Sequence, residues 1–405
     1  MFDTIIIGGG ASGLASAVML KKISADLKVA VVEQFDRVGK KISVTGNGRC
    51  NISNTNIKKS NYHSNDLNKA FEILKDFDLQ KTAEFFSSIG VELAFENNKA
   101  YPRSFQASSV VDALRFAATN LKVDIIAGTT VQKVTKSNNG FILKTNNNTL
   151  TAKTVIVATG GLAGGSKLGS NGDGYKFLKS FGHKIIEEKP VIVQVKTENT
   201  LTKILKGIKV NAKVSVINSN KTLATDSGEV LFCDYGLSGP PILQLSRYAK
   251  KGTEISLDIF SDIEFNNLVD LIMKRKQIFS SLPLTEFFAG LIHKKLGQAI
   301  LKDADISLNN NADALTKTDC INIAATLKNF RFKVLGNTGF VNAQATSGGA
   351  DLNDFDDNLI SKKTAGLFAT GEVLDVDGDC GGYNLQWAWS SAYRVANAVS
   401  CYIQE

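Results

Sequence analysis

Residues 3–17, DTIIIGGGASGLASA, leave a chain few ways to fold. The short β-branched run suits a strand buried on both faces, and glycines break it abruptly at Gly8. Gly8, Gly10 and Gly13 follow in GxGxxG spacing, and LASAVMLKK continues as a helix. The three glycines serve different ends. Gly8 permits the tight turn, Gly10 lets backbone approach a pyrophosphate, and Gly13 lets helix pack on strand. The helix start adds unpaired N–H groups and a positive dipole end, which favour an anion. A second run, KVAVVE, ends in Glu33 at the position where a carboxylate accepts both hydroxyls of an adenosine ribose and repels a 2′-phosphate. The glycines alone also fit a turn in some other α/β fold. Strand, glycines, helix, second strand and terminal acid together spell a dinucleotide-binding unit.

Two further segments decide which dinucleotide. KTVIVATGG (153–161) is another apolar strand running into a turn through Ala158, Thr159 and Gly160. AGLFATGEVLDVDG (365–378) repeats that pattern, with Gly371 followed by Glu372, Asp375 and Asp377. These acids suit hydroxyl groups, and FAD carries a ribityl chain where a nicotinamide dinucleotide has none; the competing reading is that they cap the helix beyond. Gly381 and Gly382 then give a tight turn, so Tyr383, Asn384 and Leu385 open a helix running to about Ala398. Amides and a dipole at such an N-terminus would stabilise an anionic reduced flavin. Trp387 and Trp389 on that helix read as packing residues.

The stretch KKISVTGNGRCNISN (40–54) is harder to place. Lys40 and Lys41 precede a short β-type run, Ile42 to Thr45, after which Gly46, Asn47, Gly48, Arg49, Cys50 and Asn51 crowd freely bending backbone, a cation, a thiol and amides together.

Those residues carry a resemblance to the HI0933-like flavoproteins, a group related to the two-dinucleotide-binding-domain FAD enzymes. It runs through IIIGGGASGLASA, GKKISVTGNGRCNISN, VIVATGG, GSNGDGYKFLKSFGH, GLSGPPILQLSR and GLFATGEVLDVDGDCGGYNLQWAWSSA. The resemblance implies that Gly46–Asn51 lies along FAD between pyrophosphate and flavin, with Lys40, Lys41 and Arg49 supplying charge and the glycines letting backbone N–H groups reach it. It also implies cofactor contacts from Ala11, Ser12, Gln34 and Val131, and makes Tyr101 and Arg103 candidates for a substrate pocket. The fold so implied is α/β: a discontinuous Rossmann-like FAD-binding domain over 1–188 and 340–405, with an inserted antiparallel β domain that itself carries a small helical insertion.

The middle of the chain reads the same way from its residues. Residues 189–262 are alternating or β-branched runs split by Asn, Gly and Ser turns, as in an antiparallel sheet or barrel, and 327–339 returns to that character. Between them, over 263–326, apolar residues recur at helical spacing, as at Leu268, Leu271 and Ile272.

Chemistry beyond the cofactor is sparse. His63, His183 and His293 stand far apart with no metal-like spacing, so no metal site is expected, and His183 reads as structural. The five cysteines are scattered without a CxxC pair, which argues for reduced thiols in a cytoplasmic protein. No apolar run reaches the roughly 18 residues of a membrane span. There is no second strand–GxGxxG–helix unit, so NADH or NADPH would visit the flavin only transiently as electron donor. The expectation is an FAD-dependent oxidoreductase of a small organic molecule; the resemblance implies amine oxidation or reduction of an enone C=C bond, and the catalytic residues are unassigned. Two other classes stay open. A net charge of +8 admits an RNA-modifying flavoprotein, although the basic residues form no concentrated stripe. Cys50 or Cys380 would be the relay if the protein were a non-enzymatic flavin redox sensor.

Overall fold

In the computed structural model, which describes residues 1–198 and 200–404, the apolar runs pair into one sheet. Strands β1 (Phe2–Ile7), β2 (Val29–Val32), β3 (Thr149–Val157) and β4 (Leu367–Ala369) run parallel to one another. β1 lies centrally with β2 on one side and β3 on the other, and Asp124–Ile126 extends the sheet beyond β2. β4 joins the C-terminal half of β3, while the N-terminal half of β3 pairs antiparallel with Gly140–Thr145. The sheet is therefore mixed.

Burial follows from the residue types. Ile5, Ile6, Val29, Val31, Val155 and Ile156 are fully buried, each contributing roughly 1.5–3 kcal/mol. Helix α1 (Ala11–Ile23) returns from β1 and buries Leu14 and Val18 in the same core as Val395 and Val399 of the C-terminal helix α2 (Tyr383–Gln404). A Ser24–Ser400 hydroxyl contact of 2.6 Å joins the far ends of these two helices. Of the two tryptophans on α2, Trp387 donates to the Gly371 carbonyl and Trp389 to that of Ile52, both buried.

The run from Ile42 to Thr45 is not a strand. It forms 3-10 turns over Ile42–Gly48, interrupted by positive φ at Gly46 and Asn47. Hydroxyls of Ser43 and Thr45 donate to the carbonyls of Gly39 and Ile42, so local side-chain bonds outcompete a ladder.

The chain divides into two compact units, Met1–Pro190 with Phe340–Glu405, and Val191–Gly339. The second unit is a closed antiparallel barrel of six strands. Its long hairpin, Lys209–Asn218 with Lys221–Cys233, alternates buried Val214 and Val216 with exposed lysines, the period-two pattern of a barrel wall. Helices Phe265–Ile278, Lys294–Asp303 and Lys317–Lys328 bury Leu268, Ile300 and Ile323 in one core with Phe232 and Phe330 of the barrel.

Candidate functional site

Most residues that the sequence placed around β1 line one cleft in the first unit, of about 1220 Å³ counting its solvent-filled mouth. Gly8, Gly10, Ala11 and Ser12 form its floor at the start of α1, with Glu33 and Gln34 at the end of β2. The glycine requirement is steric. A Cβ on Gly8, held at φ +109°, would lie 2.5 Å from the Ala158 carbonyl oxygen, and one on Gly13 would lie 1.9 Å from the Gly8 carbonyl oxygen. A Cβ on Gly10 would meet no other residue within 4 Å, so the space above the helix start that a diphosphate requires is open.

Glu33 holds the rim together as well as lining it. Its carboxylate accepts the Gly9 N–H at 2.8 Å and the Phe35 N–H at 3.0 Å, one bond to each oxygen. A carboxylate oxygen has two lone pairs, so both oxygens keep capacity for sugar hydroxyls.

Ala158, Thr159 and Gly160 line the cleft beside Gly8, while Thr129, Thr130 and Val131 line it beside Glu33, whose backbone carbonyl accepts the Thr129 N–H at 2.8 Å. Glu372 joins the first of these segments to the rest: its carboxylate takes the Lys41 ammonium at 2.6 Å, the Thr346 N–H at 2.7 Å and the Gly161 N–H at 3.4 Å. Segments distant in sequence are thereby fixed to one carboxylate. Gly371 lies just outside the lining; its N–H donates to Ser391 and its carbonyl accepts from Trp387, which fixes Glu372 relative to α2. At the remaining end, Asn384, Leu385 and Ala388 bring the start of α2 to the cleft beside Thr45 and Gln344.

Several expected residues lie elsewhere. Lys40 lines the cleft with its ammonium 3.5 Å from the centre of the Phe35 ring. Gly46, Asn47, Gly48, Arg49, Cys50 and Asn51 form the turn after Thr45 and are not part of the lining. Arg49 pairs with Glu96 and stacks over Tyr101 and Phe105 at 4.3 and 4.6 Å. The fully buried Cys50 thiol is pushed up to about 12 by burial, so it stays protonated at neutral pH. Asn51 Oδ1 is buried without a partner, 2.7 Å from where a Cβ on Gly382 would stand. Gly382 and Tyr383 form the turn into α2, and Asp377, almost fully buried, pairs with His63 across a short ladder. Nearby Asp375 is pushed up to about 6, chiefly by burial and then by Asp377 and Asp351 against a bond from the Asn65 N–H. His183 is buried, with Nε2 at 2.8 Å from the Ser361 hydroxyl. No three metal-ligating side chains cluster among the described residues. No helix among them is long and apolar enough to cross a membrane.

Sequence reasoning missed Thr45, Thr129, Thr130 and Gln344 in the lining. The two threonines immediately precede Val131, but Gln344, just before the strand Ala345–Ala350, carries no local signal and comes from far along the chain.

The residues fit FAD. The open floor at Gly10, the free lone pairs of Glu33 and the α2 N-terminus match diphosphate, ribose and flavin chemistry. Thr159 adds a buried hydroxyl without a partner.

The HI0933-like protein Rossmann domain family matches residues 2–398. The chain belongs to the HI0933-like family. It is 36% identical over 402 residues to a 3-dehydro-bile acid delta(4,6)-reductase of Clostridium scindens, covering 98% of each chain. It is 29% identical over 403 residues to the ribosomal RNA dihydrouridine synthase of Escherichia coli, covering 98% of this chain and 97% of that protein. Among solved structures, a quinol-fumarate reductase with menaquinol molecules superposes with a TM-score of 0.52 at 12% identity, over 100% of this chain and 71% of the other. That likeness is one of fold. The fold is of the Rossmann FAD-binding type with a β domain inserted in the chain.

Proposed function

We propose that this protein, an FAD-dependent oxidoreductase of the HI0933-like family, reduces a carbon–carbon double bond conjugated to a carbonyl in a small organic substrate. The observation carrying the reading is a cleft lined for FAD in a chain whose two full-length relatives named above share one chemistry. A Δ4,6 double-bond system beside a 3-oxo group and the C5=C6 bond of uridine are both C=C bonds conjugated to C=O. Bound flavin in its reduced form supplies a hydride, that is two electrons and one hydrogen.

The chain's own residues do the rest. The glycine floor and the first turn of α1 hold the diphosphate, and Glu33 holds the ribose. Unpaired N–H groups at the α2 N-terminus favour negative charge beside Asn384 and Leu385. The Lys41–Glu372 pair fixes the wall between them. NADH or NADPH is the proposed electron donor, binding transiently.

The test uses flavin-loaded protein, reduced with dithionite and mixed anaerobically with a 3-oxo-4,6-diene steroid. Absorbance returning near about 450 nm together with a product two mass units heavier supports the reading. No reoxidation by any conjugated ketone sinks it.

A second reading, reduction of uridine in ribosomal RNA, is favoured by the full-length similarity to the E. coli enzyme and the net charge of +8. Dihydrouridine appearing in ribosomal RNA incubated with the reduced protein, with strong loss of binding at high salt, would select it over the small substrate.

A further inference from the structure

Reduction of a conjugated C=C bond needs a proton as well as a hydride, and three tyrosines stand near the end of the cleft where α2 begins. Two have committed hydroxyls. Tyr62 donates to the Tyr383 carbonyl at 3.1 Å, and Tyr383 donates to the Asn56 carbonyl at 3.2 Å. The hydroxyl of Tyr101 makes no hydrogen bond among the described residues.

The surroundings of Tyr101 are otherwise tightly built. It lies on the strand Lys99–Pro102, which pairs with Ser53–Asn54 and with Leu93–Glu96. The residue is only 7% exposed, its ring lies under the Arg49 guanidinium, and Phe105 packs beside it at 5.6 Å. Two connections put it next to the cleft. A Cβ on Gly46, the residue after cleft-lining Thr45, would lie 3.8 Å from Tyr101 Cε1. From the other side, the Asn54 amide donates to the Gly381 carbonyl at 2.8 Å, tying the strand pair to the turn that begins α2.

We infer that Tyr101 is the proton donor of the reduction, delivering its hydroxyl hydrogen to the carbon next to the carbonyl. This rests on the function proposed above. Hydride addition at the β carbon breaks the C=C π bond and leaves an enolate. The Tyr101 O–H bond then breaks, its proton forms the C–H bond at the α carbon, and the phenolate regains a proton from water. The substrate gains two electrons and two hydrogens, and the reduced flavin, itself reduced beforehand by a nicotinamide or by dithionite, loses the two electrons. Arg49 stabilises the transient phenolate through the ring face and its positive charge. Burial works the other way and raises the phenol above its ordinary range, which keeps it protonated at neutral pH as a donor must be. Other acids nearby are less suitable. Cys50 is sealed in the core, and His63 is held by Asp379 at 3.2 Å.

The test compares wild type, Tyr101→Phe, Tyr62→Phe and Cys380→Ser as flavin-loaded proteins. Removing an unbonded hydroxyl should leave the melting temperature of Tyr101→Phe unchanged, whereas Tyr62→Phe loses a buried bond and melts roughly 1–2 °C lower. Reoxidation of the dithionite-reduced flavin by a 3-oxo-4,6-diene steroid should slow about 100-fold or more in Tyr101→Phe. Binding of the saturated ketone, read from perturbation of the oxidised flavin spectrum, should change less than threefold. Cys380→Ser should react like wild type. In D2O, wild type should place deuterium on one face of the α carbon and Tyr101→Phe on both. A Tyr101→Phe rate within threefold of wild type overturns the assignment, as does loss of rate in Cys380→Ser alone. A wild type that no conjugated ketone reoxidises overturns the function and the Tyr101 role together.

Discussion

At one end of the cleft the lining is largely backbone: Gly8 and Gly10 bare the chain at the start of α1, Gly13 packs beneath them, and Glu33 braces the rim through two N–H groups. At the other end, residues brought from separate segments form the lining: Thr45, Gln344, Asn384 and Leu385 meet there, with Tyr101 and Arg49 just beyond. The first end is one contiguous βαβ unit whose geometry any such sequence must repeat. The second is assembled from four places in the chain, so single residues can change there without disturbing the sheet. The phosphate end is therefore the rigid, generic part, and the flavin end is where chemistry is chosen.

Gly13 offers the most direct challenge to that division. Gly13→Ala drives a methyl into the Gly8 carbonyl at 1.9 Å, and neither helix nor strand can yield without losing packing. The expected result is loss of retained flavin and destabilisation of about 3 kcal/mol or more, read by calorimetry and flavin content. A yellow, stable Gly13→Ala protein would show that the end described as rigid is pliable.

Glu33→Ala should act more mildly. It removes the ribose acceptors and releases two N–H groups that can turn to water, so FAD affinity should fall by about 10- to 150-fold, or 1.5–3 kcal/mol. The rate of flavin reduction at saturating FAD should hardly change, because the ribose end lies apart from the reacting end. Measuring FAD dissociation constants alongside saturated reduction rates checks both halves.

The smallest effect on folding and FAD retention belongs to Arg49→Ala. Its ion pair with Glu96 is solvent-exposed, with side chains 39% and 48% accessible, so folding stability should change by less than about 1 kcal/mol. FAD affinity should stay within about twofold, because Arg49 faces two aromatic rings and not the cleft. A large loss of FAD affinity would return Arg49 to the cofactor site and weaken the separation of the two ends.

These variants also separate what local sequence encodes from what it does not. β1, the glycines, α1 and Glu33 are legible because the information is contiguous: a buried strand, a turn with no room for Cβ and a helix packing back on the strand must appear in that order. The barrel is legible for a similar reason, since alternation along Lys209–Asn218 is a local consequence of one wet and one dry face. The stretch from Ile42 to Asn51 is not. Its β-branched residues favour strand by propensity, but no neighbouring strand is there to pair with, and serine and threonine hydroxyls close local turns instead. Glu372 shows the same limit: its sequence neighbours mark it as an acid near a cofactor strand, yet its carboxylate is taken up by Lys41, Thr346 and Gly161.

Residue order alone thus specifies the dinucleotide unit, the family, the barrel and the helix that ends on the cleft, because each rests on spacing between residues a few positions apart. Packing in three dimensions settles the rest: Arg49 stacks on Tyr101 and pairs with Glu96, Gln344 enters the cleft, and Tyr101, unlike neighbouring Tyr62 and Tyr383, keeps an unbonded hydroxyl. Those outcomes depend on which partner lies nearest in space, and hydrogen bonds and ring contacts form over distances of a few ångströms that separation along the chain does not encode.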